Sequence, residues 1–182
     1  SLRRRQRQMC IRDRETTYLY FKKRQFIGFV PLMNNLHLNY YGKKSFSIVA
    51  KTPCVAYRIS NRQFQNLLGF PSVVSLMLNT LTENHIYLME HFHSSKNEPA
   101  LVQFCRFLLD QAEPCESGHL ALNTFFTYQE IACYLGMHSV TIARMVKSLR
   151  AEEMIEKTGH QIQIINPEQM AKLITEERKI DY

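Results

Sequence analysis

"TYQEIACYLGMHSVTIARMVKSL", residues 127–149, decides how the rest of the chain is read. Thr127 and Glu130 have the spacing of a capping box, so a helix is predicted over 128–135, and Gly136 ends it. Ile131 and Leu135 fall at i and i+4 and face inward. Beyond the short turn "GMHS", Val140, Ile142, Met145, Val146 and Leu149 populate a second helix. Two helices joined by a short Gly-containing turn make a helix-turn-helix pattern. The second helix holds Arg144, Lys147 and Arg150, with no acid between Ser139 and Ala151. In such motifs that helix enters the major groove by its N-terminal end, which presents Ser139, Val140, Thr141 and Arg144 to base edges and phosphates. Downstream, "MIEKTGHQIQII" predicts two strands around Gly159, a wing able to place Lys157 and His160 near a DNA backbone. "NPEQMAKLITEERK" predicts a last helix begun by Asn166 and Pro167.

Upstream, "PCESGHLALN" reads as a turn followed by a short strand, and "ALVQFCRFLLDQAE" as an amphipathic helix. "SSKNEP", residues 94–99, marks a hinge. Before it a long helix is predicted from Pro71 to about residue 94. Val74, Leu78, Leu81, His85, Leu88 and Phe92 recur along it at spacings of four and three, the heptad seam that pairs helices. This seam predicts self-association, with Met77, Tyr87 and Met89 serving an inward face; packing of one helix on its own domain is the alternative. Ser60 caps a short helix, "NRQFQNLLG", stopped by Gly69. Between residues 15 and 60, "TTYLYF" and "SFSIVAKTPCVAYRIS" have strand composition, separated by turn-rich "FIGFVPLMNNLHLNYYGKK". Three or four strands suffice for a sheet but not for a closed barrel or sandwich.

Among the chain's 182 residues 45% are hydrophobic and 11% aromatic, enough for a globular core. No apolar run approaches the roughly 18 residues that span a bilayer, and nothing reads as a signal peptide, so the expectation is a cytoplasmic protein without a membrane partner. Cys10, Cys54, Cys105, Cys115 and Cys133 are scattered, with no close pair to seed a metal site, and are expected to be reduced structural thiols. The net charge of +7 invites a nucleic-acid reading, but "SLRRRQRQMCIRDR" contributes +5 of it and leaves +2 for residues 15–182. That opening shows neither helical nor strand periodicity. It is similar to a translated library adapter and is set aside from fold reasoning; a native basic arm that binds phosphates is the alternative.

"FTYQEIACYLGMHSVTIARMVKSLRAEEMIEKTGHQIQI" resembles the winged helix-turn-helix of the Crp/Fnr superfamily, the cyclic-AMP receptor protein and fumarate-nitrate regulator type, without a gap from Thr127 through Ile155. "FIGF" and "VAKTPCVAYRISNRQFQNLL" resemble the last strands of that family's effector-binding β-roll and the helix after it. The resemblance implies an α+β chain. It further implies a non-native segment at 1–14, the C-terminal part of a cupin-like jelly roll at 15–69, a dimerisation helix at 70–95, and a winged helix-turn-helix domain at 96–182. The family places the first half of the β-roll before residue 15, so the resemblance implies a truncated reading frame. DNA contacts are implied for Thr127, Gln129, His138, Ser139, Val140, Thr141, Arg144, Lys147, Lys157 and His160.

Departures from the family are as informative. Cyclic-AMP binders hold the ribose with a Glu after Gly and the phosphate with an Arg before Ser or Thr. Here those positions are Phe29 and, ahead of Ser45, Lys44, which lacks the planar fork that grips phosphate oxygens in pairs. The resemblance therefore implies a small effector that is not cyclic AMP; no cofactor is evident and no metal site is expected. In the recognition helix many members carry a Glu that accepts from cytosine, where this chain has Val140. A valine cannot accept from the cytosine amino group but can pack on a thymine methyl, which predicts half-sites richer in A·T; the substitution resembles the branch that senses chlorinated phenols. Arg144 has a base contact or a phosphate clamp open to it.

The function implied is a homodimeric transcription regulator on palindromic duplex DNA, with RNA polymerase a further partner. A protein-interaction module that no longer reads DNA is the alternative, since residues 124–182 hold seven Lys or Arg against eight Asp or Glu. An enzyme is not expected: His91 and His93 lie on different faces of one helix, and no nucleophile motif is present.

Overall fold

The computed structural model describes residues 9–12, 17–21, 25–29 and 47–175. The chain divides into two compact units, Ser1–His91 and Phe92–Tyr182. Among the described residues no helix is long and apolar enough to cross a membrane.

In the first unit, β1 (Met9–Arg12), β2 (Thr17–Phe21) and β3 (Ser47–Ala50) form an antiparallel sheet in the order β2-β1-β3, with Cys10 opposite both Tyr20 and Val49. The central strand thus comes from the opening segment that sequence reasoning set aside as lacking strand periodicity. A strand is defined by its backbone ladder, which four residues can complete without displaying a period. The second stretch, 45–60, yields one short strand instead of continuing to Ser60. Lys51 and Thr52 bend the backbone, and Pro53 lacks the N–H that a ladder needs.

Ser60 caps α1 (Asn61–Leu67) in a complete capping box: its Oγ accepts from the Gln63 N–H at 3.3 Å, and its own N–H donates to Gln63 Oε1 at 2.9 Å. The cap aims Phe64 inward, where it packs with Phe29 and Met77 under a rim of Phe26, Leu68 and Val73. α2 (Pro71–Asn97) follows, 27 residues or about 40 Å long. Met77, Thr80 and Ser94 are buried along it and Tyr87 is half-buried, whereas Leu78, Leu81, Leu88 and Phe92 are exposed. Met89, expected on the inward face, is exposed as well. At about 100° per residue it lies roughly 120° around the helix from Met77, on the seam's side.

The hinge expected at 94–99 is largely helical, since α2 continues to Asn97 and α3 (Ala100–Gln111) begins at once. Ser95 Oγ and Asn97 Nδ2 donate to the carbonyls of Phe92 and His93, so these polar residues terminate the helix from within and do not interrupt it.

In the second unit β4 (Glu113–Pro114), β5 (Leu120–Ala121), β6 (Ile155–Thr158) and β7 (Gln161–Ile164) make an antiparallel sheet in the order β4-β5-β7-β6. Three helices, α4 (Tyr128–Leu135), α5 (Ser139–Ala151) and α6 (Pro167–Ile174), enclose the core with α3. Phe104, Cys105 and Leu108 of α3 are completely buried, as are Ile131, Ile142, Met145, Leu149, Met154 and Met170. The Phe107 ring meets Phe126 edge-on at 5.3 Å and Tyr134 at 5.2 Å. Among the cysteines whose side chains are described, Cys105 alone fits the expectation of a small buried hydrophobe; burial pushes its thiol up to about 12. Cys54, Cys115 and Cys133 are partly exposed.

Candidate nucleic-acid interface

The first helix of the motif begins where its cap residue sits. Thr127 Oγ1 accepts from the Glu130 N–H at 3.2 Å, fixing the first turn of α4. Only this half of the predicted capping box forms, because the Thr127 N–H donates to the Phe125 carbonyl at 2.8 Å. α4 ends on Gly136 in the left-handed region (φ 66°), which lets the Gly136 and Met137 N–H groups both reach the Ala132 carbonyl. That tight stop turns the chain into α5.

α5 has two chemically distinct faces. Ile142, Met145, Val146 and Leu149 are buried against the core. Val140, Arg144 and Lys147, at i, i+4 and i+7, form one exposed stripe, with Arg150 on its flank. Val140 is 61% exposed. One exposed valine is ordinary on a protein surface, but here it shares a free face with three cations. Arg144, Lys147 and Arg150 form no ion pair with any described acid, so their charge is directed at solvent or a ligand. Thr141 and Ser139 are partly exposed beside Val140, and His138 occupies the cap position without a side-chain hydrogen bond to the helix.

The wing is a two-residue hairpin between Thr158 and Gln161. Gly159 has φ 61° while His160 does not take positive φ, the pattern of a type II′ turn, and it leaves His160 exposed at the tip. Lys157 is not at the tip: its Nζ lies 4.5 Å from the centre of the Tyr128 ring, joining the wing to the first residue of α4. Sequence reasoning missed Tyr128. Its only local signal was an aromatic at a half-exposed helix start, and the contact that gives it meaning spans a large separation in the chain. Gln129 is exposed next to it and its Nε2 donates to Cys133 Sγ at 3.7 Å.

The expected effector residues divide. Phe29 is 4% exposed, locked against Phe64 and Met77, and Phe26 meets its ring edge-on at 6.0 Å. It borders a cavity of about 570 Å³ whose walls include Tyr57, Arg58 and Leu76, none of them singled out from the sequence. Lys44 and Ser45 lie outside the described residues. On α2, Leu78, Leu81, Leu88 and Phe92 are exposed together with His85, while Val74 is half-buried at the helix start.

Comparison with known proteins agrees with this geometry. Residues 102–173 match the Crp-like helix-turn-helix domain family. A probable transcriptional regulator, Flp, of Lacticaseibacillus casei is 29% identical over 144 residues, 79% of this chain and 62% of its own length. The chain therefore spans less than two thirds of that curated relative. A CRP-family transcriptional regulator from Thermus thermophilus superimposes with a TM-score of 0.71 at 11% identity, covering 94% of this chain and 88% of its own. A second regulator from the same organism, of the CRP/FNR family, gives 0.65 at 15% identity, covering 93% and 84%. At these identities the solved structures bear on the fold alone.

Proposed function

We infer that this chain, which belongs to the Crp/Fnr superfamily through its Crp-like helix-turn-helix domain at residues 102–173, is a sequence-specific DNA-binding transcription regulator. The observation that carries this reading is the division of α5: four apolar residues anchor it, and Val140, Arg144 and Lys147 stand unpaired on the opposite stripe. That stripe carries the charge suited to a helix that enters a major groove N-terminus first. Ser139, Thr141 and His138 at the same end, Thr127 and Gln129 at the start of α4, and His160 at the wing tip supply phosphate contacts around it.

The functional unit is a homodimer. Leu78, Leu81, Leu88 and Phe92, exposed in one chain, pair with their copies along α2, and the two α5 helices read successive major grooves about 34 Å apart on a palindromic site. Val140 favours thymine methyl groups, so the half-sites are richer in A·T than those of members with Glu at this position. A small effector other than cyclic AMP shifts the equilibrium between binding-competent and idle states, by no more than its differential affinity for them. The protein acts in the cytoplasm, has no catalytic activity of its own, and meets RNA polymerase at its promoters.

Binding to a random duplex library at several salt concentrations tests the reading. The expected result is a selected palindrome with A·T-rich half-sites and affinity that falls steeply with salt as phosphates are neutralised. Salt-independent binding, or no selection of any sequence, would remove DNA reading from the protein's functions; a G·C-rich core half-site would overturn the role of Val140.

A further inference from the structure

We propose that Glu98 is a positioning residue, a latch that fastens the last turn of α2 to α3 and so carries the DNA-reading domain with that turn as one piece. This rests on the reading of α5 as a DNA-binding helix. Only Glu98 and Pro99 separate the two helices. The Glu98 carboxylate takes donors from both of them: Arg106 Nη2 reaches Oε1 at 2.6 Å, Arg106 Nε reaches Oε2 at 3.3 Å, and Ser94 Oγ also donates to Oε2. The backbone of the same residue is held from both sides, its N–H donating to the Ser94 carbonyl at 3.0 Å and its carbonyl accepting from Gln103 Nε2 at 2.9 Å.

Exposed ion pairs usually contribute little, because water and side-chain entropy offset their attraction. This one differs in geometry. Two of the three guanidinium nitrogens engage one carboxylate, the Glu98 side chain is 18% exposed, and Ser94 is 5% exposed. The side chain that grips Glu98 belongs to a helix whose Phe104, Cys105 and Leu108 are completely buried, so α3 cannot tilt without disturbing the core that supports α5. While Glu98 is held, residues 94–99 have no freedom to bend. Release of that carboxylate is the step that loosens the reading domain.

Hydrogen exchange on the full chain tests the latch directly. In Glu98→Ala and, from the other side, Arg106→Met, exchange across residues 94–106 rises about tenfold or more while residues 139–151 keep their wild-type protection. Glu98→Gln, which keeps an acceptor but loses the charge, falls between. The functional arm compares duplexes carrying the selected half-sites at their selected spacing and with about five base pairs inserted, half a helical turn. Wild type discriminates strongly between them; both latch variants lose most of that discrimination yet bind a single half-site as before. Unchanged exchange across 94–106 overturns the latch, and so does unchanged spacing preference in the variants. If the wild-type chain binds no duplex, the DNA reading fails and the exchange experiment alone still decides whether Glu98 holds the joint.

Discussion

Lys157 of the wing places its ammonium 4.5 Å from the centre of the Tyr128 ring at the start of α4. Strand β6 and the first helix of the helix-turn-helix are thereby tied together. A partly exposed pair of this kind contributes about 0.5–1 kcal/mol. A double-mutant cycle of Tyr128→Leu with Lys157→Met, followed by urea unfolding, is expected to return a coupling of that size. Tyr128→Phe keeps the ring face and should leave it intact; a coupling near zero would show the two residues to be neighbours without interaction.

Arg144 stands one turn beyond Val140 on the same exposed stripe. A base edge and a phosphate are both open to it, and the two roles predict different losses. Arg144→Ala should weaken binding to the selected site by about 1–3 kcal/mol and relax preference at one base position. Competition against single-base variants of the site checks this. Equal weakening across all sequences, with a salt slope smaller by about one, would assign Arg144 to a phosphate instead.

Val140 can be replaced without disturbing the core, since it is 61% exposed. Val140→Glu should leave folding stability within about 0.5 kcal/mol. Repeated library selection should then recover cytosine where wild type recovers thymine, because the carboxylate accepts from the cytosine amino group.

The exposed seam of α2 makes a separate prediction. Leu81→Glu combined with Leu88→Glu puts charges at two surface positions of the single chain, so its secondary structure should persist. Sedimentation should show the dimer lost, and binding to the full palindrome should fall to that of one half-site. A double variant that still sediments as a dimer would move the interface elsewhere.

Glu98 predicts a pH dependence. Burial acts to raise its carboxyl, but hydrogen bonds from Arg106 and Ser94, with the charges of Arg106 and His93, outweigh it and leave the group below its ordinary value of 4.5. A carboxyl lowered by folding contributes stability that is fully present above the unfolded value and is lost as pH falls through the folded one. Wild type should therefore lose stability between pH 4.5 and more acid values more steeply than Glu98→Gln, measured by chemical unfolding at each pH. Parallel curves would contradict the assignment.

Much of the second unit was legible because its elements declare themselves locally. Thr127 and Gly136 bound α4, Asn166 and Pro167 start α6, and Gly159 marks the wing turn, each through backbone chemistry confined to a few residues. The first unit was less legible. β1 carries no period that separates it from its basic surroundings, and the packing of Phe29 against Phe64 and Met77 joins three segments that no local pattern links. Residues 94–99 have linker composition, yet hydrogen bonds at Ser94, Ser95, Asn97 and Glu98 keep them ordered.

The sequence by itself determined the helix-turn-helix and its wing, the one-sided basicity of α5, and the heptad spacing along α2, since helical periodicity and capping act over distances of a turn or two. Tertiary structure alone decided that Lys157 is held by Tyr128 and that the joint before α3 is latched at Glu98. Those outcomes depend on which side chains the folded backbone brings within a few ångströms of each other, and a ring contact or a guanidinium fork leaves no period along the chain for a reader to find.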